Sequence, residues 1–120
     1  MLENNKCILV YGLSNEEIKK MESLNHKIIE VTPDMCRMTI KDILNGLRIL
    51  LVNEAPIKEK VIIYNNFPEK EMNNTIKETR AIVKGGILAV VTPTSIEWEI
   101  NYLIEHLIEE REFYLKNRKG

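Results

Sequence analysis

Four short runs of apolar, largely β-branched residues, each followed by a helical pattern, set the strongest limit on what this chain can fold into. They are Cys7–Tyr11, Lys27–Val31, Val61–Tyr64 and Ile87–Val91. Three are apolar almost throughout, as strands covered on both faces tend to be. Lys27–Val31 is mixed, which fits an edge strand.

The segments between these runs read as helices. Ser14 is placed to cap the first, with Glu17 three residues on as reciprocal partner. Thr39 is placed to cap the second, with Asp42 in the matching position. Ile40, Ile43, Leu44, Leu47, Leu50 and Leu51 then form an apolar stripe at helical spacing, interrupted by Gly46. Pro68 suits the first turn of a third helix, whose apolar face continues through Met72, Ile76 and Val83, and Gly85-Gly86 suits its end. Thr94 with Glu97 reads as a capping box for a long last helix from Ser95 to about Lys119.

The order βαβαβαβα predicts a single α/β domain over residues 1–120. Its four-stranded, mainly parallel sheet has helices on both faces and right-handed crossovers. The expected strand order is 2-1-3-4, as in half of a flavodoxin-like fold. Asn53 to Lys60, with Pro56, reads as a loop. No internal repeat, low-complexity tract or linker is expected.

Composition narrows the function classes. The 120 residues suffice for one packed core, and 29% charged residues make a well-solvated surface. The formal net charge of −1 gives no long-range attraction for nucleic acid or anionic lipid, and the basic end at Lys116, Arg118 and Lys119 is too short to reverse that. No run approaches the ~20 apolar residues of a membrane span. No signal-peptide pattern is seen. Cys7 and Cys36 are far apart and outside any Cys-x-x-Cys pair, which suits free thiols in a reducing cytoplasm.

In open α/β sheets, ligands bind beyond the carboxyl ends of the strands. Here those ends are Gly12-Leu13-Ser14-Asn15, Thr32-Pro33-Asp34, Asn65-Asn66-Phe67 and Thr92-Pro93-Thr94. They offer hydroxyls, amides and one carboxylate. A glycine-rich phosphate loop is missing, and the first helical turns are already acidic (Glu16 and Glu17, Glu69 and Glu71, Glu97 and Glu99), which disfavours a polyphosphate. A phosphoacceptor site of the receiver type needs acidic residues after the first strand and an Asp ending the third. Tyr11-Gly12 and Asn65-Asn66 stand there instead, leaving only an inactive receiver relative as an alternative.

Cys7 falls inside a strand, where a thiol is inert. Cys36 falls in a polar turn that could be exposed, but has no His or basic residue beside it in sequence to activate it. His26, His106, Glu105, Glu109 and Glu110 match no metal-ligand spacing. No catalytic residue, metal or cofactor is therefore expected.

The candidate binding residues are Gly12, Asn65, Asn66, Thr92, Thr94, Trp98 and Tyr102. Trp98 and Tyr102 are four residues apart, opposite the apolar stripe of the last helix, so they sit side by side. They read as a surface for a protein partner or a second copy, or as rings packed on a neighbouring loop. The alternative is a small-molecule binder or weak enzyme for a neutral or cationic ligand, held at the carboxyl edge of the sheet by Asn65, Asn66, Thr92 and Thr94 against Trp98.

The run Ile87-Leu88-Ala89-Val90-Val91-Thr92-Pro93-Thr94, then Trp98, Leu103, Leu107 and Glu109-Glu110-Arg111, resembles a family of small uncharacterised bacterial proteins catalogued as a domain of unknown function. Val61 to Phe67 followed by Pro68-Glu69-Lys70-Glu71 is similar to the preceding strand and helix start of that family. The likeness spans about Val61 to Arg111. It implies a strand–helix fold and directs attention to Thr92, Pro93, Thr94 and Trp98, but implies no activity.

Overall fold

The computed structural model describes residues 6–117. Arg118 and Lys119, expected in the basic end of the last helix, lie outside the described residues. Four strands, β1 (Cys7–Tyr11), β2 (Ile28–Val31), β3 (Val61–Asn65) and β4 (Ile87–Val90), alternate with α1 (Asn15–Glu22), α2 (Ile40–Leu44), α3 (Glu69–Ile82) and α4 (Ile100–Asn117). Short 3-10 turns, Pro33–Met35 and Ser95–Glu97, precede α2 and α4. The strand order is β2-β1-β3-β4, as the sequence predicts. No helix of the described residues is long and apolar enough to cross a membrane.

Strand direction departs from a flavodoxin-like half. β1 pairs with β2 and β3 with β4 in parallel, but β1 and β3 run antiparallel, with Cys7 opposite Asn65 and Tyr11 opposite Val61. The cause lies between β2 and β3. At ~1.5 Å per residue, the five-residue α2 is too short to carry the chain back across the sheet. The residues after it stay at the edge where β2 ends. There the Leu51 amide donates to the Asp34 carbonyl (2.9 Å), the Asn53 side chain to the Pro33 carbonyl (3.0 Å) and the Tyr11 hydroxyl to the Ile57 carbonyl (2.7 Å). β3 therefore starts where β1 finishes.

β1 and β3 are buried along their whole length, and the apolar alternation divides them between two cores. Ile8, Val10, Ile62 and Tyr64 face α1 and α3, while Leu9, Tyr11, Val61 and Ile63 face α2 and α4. Glu30 on β2 is exposed, as an edge strand allows. β4 is the other edge, and its Val90 is exposed although its sequence is apolar throughout.

The expectation of no internal repeat is corrected. β1-α1-β2-turn-α2 recurs as β3-α3-β4-turn-α4, with Val31-Thr32-Pro33 matched by Val91-Thr92-Pro93, and Ile40 and Leu44 by Ile100 and Ile104. Gly12 and Asn66, matched after β1 and β3, both take left-handed backbone (φ 79° and 60°). The two halves are related by a local twofold perpendicular to the sheet. Leu9 pairs with its own counterpart Ile63, and Thr39 bridges its counterpart Glu99. Around that bridge the Ile40 amide donates to the Trp98 carbonyl (3.0 Å) and the Ile100 amide to the Met38 carbonyl (2.9 Å), a reciprocal exchange between matched positions.

Two helix boundaries also differ from expectation. α2 stops at Leu44, because Asn45 caps it and Gly46 turns left-handed (φ 80°). Leu47, Leu50 and Leu51, expected on the helical stripe, are instead exposed in irregular chain. α4 begins at Ile100, not Ser95, and Thr94 makes no cap bond. Thr92 and Ser95 interlock instead: each amide donates to the other's hydroxyl at 2.9 Å. The caps at Ser14 with Glu17, and at Thr39 over the Asp42 amide, form as expected.

Gly12 sits where the chain leaving β1 meets the chain entering β3. A Cβ there would be driven into the Glu59 carbonyl oxygen, on top of the left-handed strain. Gly12→Ala is expected to destabilise the fold by about 2–4 kcal/mol in urea unfolding. A loss below about 0.5 kcal/mol would show that this approach is not constrained.

Candidate functional site

The antiparallel centre divides the residues expected to share one edge. Gly12 lies at the end of the sheet formed by the carboxyl ends of β1 and β2 and the amino ends of β3 and β4. Asn65, Asn66, Thr92 and Thr94 lie at the opposite end, where Cys7 faces Asn65. A receiver-type constellation, which needs the ends of the first and third strands together, cannot assemble across this separation.

At the Asn65 end the polar groups are largely engaged with one another. Asn65 is buried, and its side-chain amide points to the Cys7 sulfur at 3.8 Å. Thr92 Oγ1 and Ser95 Oγ are 3.1 Å apart within the interlock already described. Asn65, Asn66, Thr92 and Pro93 line a hollow of only about 180 Å³, below the 300–1,000 Å³ of ordinary small-molecule sites.

A larger cleft, of about 670 Å³, opens at the Gly12 end. Its walls include Tyr11, Gly12, Thr32, Ile57, Lys60 and Gly86. Of the four charged residues that line it, Glu30, Lys58, Glu59 and Lys60, the last two are paired. The Lys60 ammonium lies 2.8 Å from Glu17, and Arg111 from α4 grips Glu59 with two bonds of 2.9 and 3.0 Å. Burial works against the Glu17 carboxylate, but Lys60 and the Ser14 amide outweigh it and hold its pKa below the usual value. Burial first, then the adjacent Cys36 thiol, pushes the Tyr11 phenol up to about 12. Sequence reasoning named Gly12 and the Thr32-Pro33 corner but missed this cleft. Its third wall is the approach to β3, which a β3 running parallel to β1 would have placed at the other end.

Trp98 and Tyr102 do lie side by side. The half-buried Trp98 ring meets Tyr102 edge-on at 4.8 Å and 87°, and His106 at 5.1 Å and 71°. Tyr102 and His106 are near-parallel at 6.3 Å. Trp98 precedes α4, and its backbone is held by the bridge to Ile40. Tyr102, His106, Glu109 and Phe113 follow along one line of α4 at spacings of three and four residues. Tyr102 is 52% and Phe113 69% exposed, while Ile100, Leu103 and Ile104 fill the core from the opposite side. His106 was not among the expected site residues, although its i+4 relation to Tyr102 was the available signal.

Cys36, whose turn left its exposure open in the sequence, lies in the core at 1% exposed; Cys7 is also buried. Burial raises the pKa of both thiols and keeps them protonated, against the weaker pull of Asn65 on Cys7 and of Tyr11 on Cys36. Among the described residues no three His, Cys, Asp or Glu side chains converge as a metal site requires. Neither thiol of the native protein should react with a thiol-specific aromatic disulfide reagent at pH 8, and both should react in denaturant. Rapid native labelling of either one would contradict the buried placement.

Comparison with known proteins adds one relation. Neither the curated proteins nor the solved structures contain a match to this chain. Residues 60–114, which span the second structural repeat from the start of β3 into α4, match the model of a family described as a domain of unknown function, DUF3783.

Proposed function

We propose that the protein is a cytoplasmic, non-catalytic interaction module whose working surface is the outer face of α4. One observation carries this reading. Trp98, just before α4, packs edge-on against Tyr102 and His106, which are near-parallel, and these rings with Phe113 form a ridge along a helix whose inner face is already filled by core residues. Rigid aromatic side chains are enriched where proteins bind partners, because they offer large contact area at little entropic cost. The two protonated, buried thiols suit a reducing compartment and offer no nucleophile.

Tyr102 and Phe113 can be changed without opening the core, since both are exposed. Affinity capture from native extract should retain a protein on wild type that falls by about tenfold on Tyr102→Ala and Phe113→Ala, as loss of interface aromatics commonly produces. Equal capture by wild type and both folded variants would sink the reading.

The 670 Å³ cleft beside Gly12 and Thr32 favours a second reading, a binder of a small neutral or cationic ligand. A metabolite that raises the melting temperature of wild type but not of Thr32→Val would support it. No shift across a broad panel would count against it.

A further inference from the structure

The partner's chemistry can be read from what surrounds the ridge; the inference rests on the interaction reading above. At about 100° per residue, Glu105, Glu109, Glu110 and Glu112 fall on the same outer side of α4 as Tyr102 and Phe113. Burial agrees, since all of these residues are exposed. His106 approaches Glu110 at 3.4 Å, and the Arg111 guanidinium reaches Glu112 at 3.6 Å while gripping Glu59. Among the described residues, Glu105 and Glu109 meet no cation within ion-pair distance. Lys116 is the one lysine or arginine on this side of described α4. The chain as a whole is close to neutral at −1, so the negative charge is concentrated locally around exposed rings.

We infer that the outer face of α4 docks a basic segment of a partner protein, bearing lysine or arginine. Aromatic rings attract such cations through their faces, and flanking carboxylates add a complementary field. The same charge disfavours the other occupants. Two copies of this face would bring like charges together, and an anionic membrane or nucleic acid would be repelled. The loop Leu47–Val52 is more apolar, but nothing in the structure indicates what would cover it.

Trp98 is the single tryptophan of the chain and lies in the ridge, so its fluorescence reports occupancy directly. The full-length protein would be titrated with three pools of short peptides of randomised order and equal apolar content. The charged positions would be lysine and arginine in one pool, glutamate in the second and glutamine in the third. The basic pool should shift Trp98 emission saturably, and its apparent affinity should fall about tenfold between low and high salt. The double substitution Glu105→Gln, Glu109→Gln should weaken it by a similar factor with an unchanged melting curve, both side chains being exposed. Equal binding of the glutamine pool would overturn the basic partner and leave the ridge as an interaction surface. Preferential binding of the glutamate pool would overturn the inferred charge preference. No response to any pool, with Tyr102→Ala behaving as wild type in the extract capture, would remove both the basic partner and the ridge.

Discussion

The antiparallel pairing of β1 with β3 is the interaction on which the rest of the molecule depends. It joins two strands that are wholly buried, places Leu9 against Ile63, and lets each core receive one helix from each half of the chain. A parallel arrangement would need a crossover after β2 that returns the chain to the starting edge. The short α2 and the hydrogen bonds holding Leu51, Asn53 and Ile57 at the far edge keep the chain from returning. From that one pairing follow the local twofold, the separation of Gly12 from Asn65, and the cleft between the end of β1 and the start of β3.

The two halves share a plan but end differently. In the first, Gly46 stops the helix after Leu44, and the chain leaves as an irregular segment with several exposed apolar side chains. In the second, the matching position is His106, and α4 runs on to Asn117. The extra length supplies Phe113, the line of glutamates and the Arg111 clasp on Glu59. The surface assigned to binding is thus a property of the second half, which is also the part that matches the family of unknown function.

Much of the fold was legible in the residues. The β-branched runs located all four strands, and Ser14 with Glu17 and Thr39 with Asp42 marked two helix starts by local chemistry. The strand order followed from alternation. Strand direction did not, because it turns on the path of residues 45–60, which have no periodicity to read. The stripe Leu47, Leu50 and Leu51 kept its helical spacing past a glycine that breaks the backbone, so pattern and conformation disagreed there. The repeat was hidden because α1 and α3 differ in length and few matched side chains are identical. Of the candidate site, the Trp98–Tyr102 neighbourhood was readable from a four-residue spacing. The cleft was not, since it is built by segments distant in sequence.

The mirrored plan also shapes how the chain reaches its fold. Within each half the strands are joined through one helix, so β1 with β2 and β3 with β4 close over short stretches of sequence. Among the pairings within the sheet the central one spans the most sequence, and closing a longer loop costs little more entropy than closing a shorter one. During synthesis the first half emerges complete while the inner edge of β1 still lacks its neighbour. That edge, from Cys7 to Tyr11, is apolar and able to pair with any extended chain until Val61–Asn65 arrives. The interval is the time taken to make the connecting segment, so residues 45–60 act as a delay as well as a link.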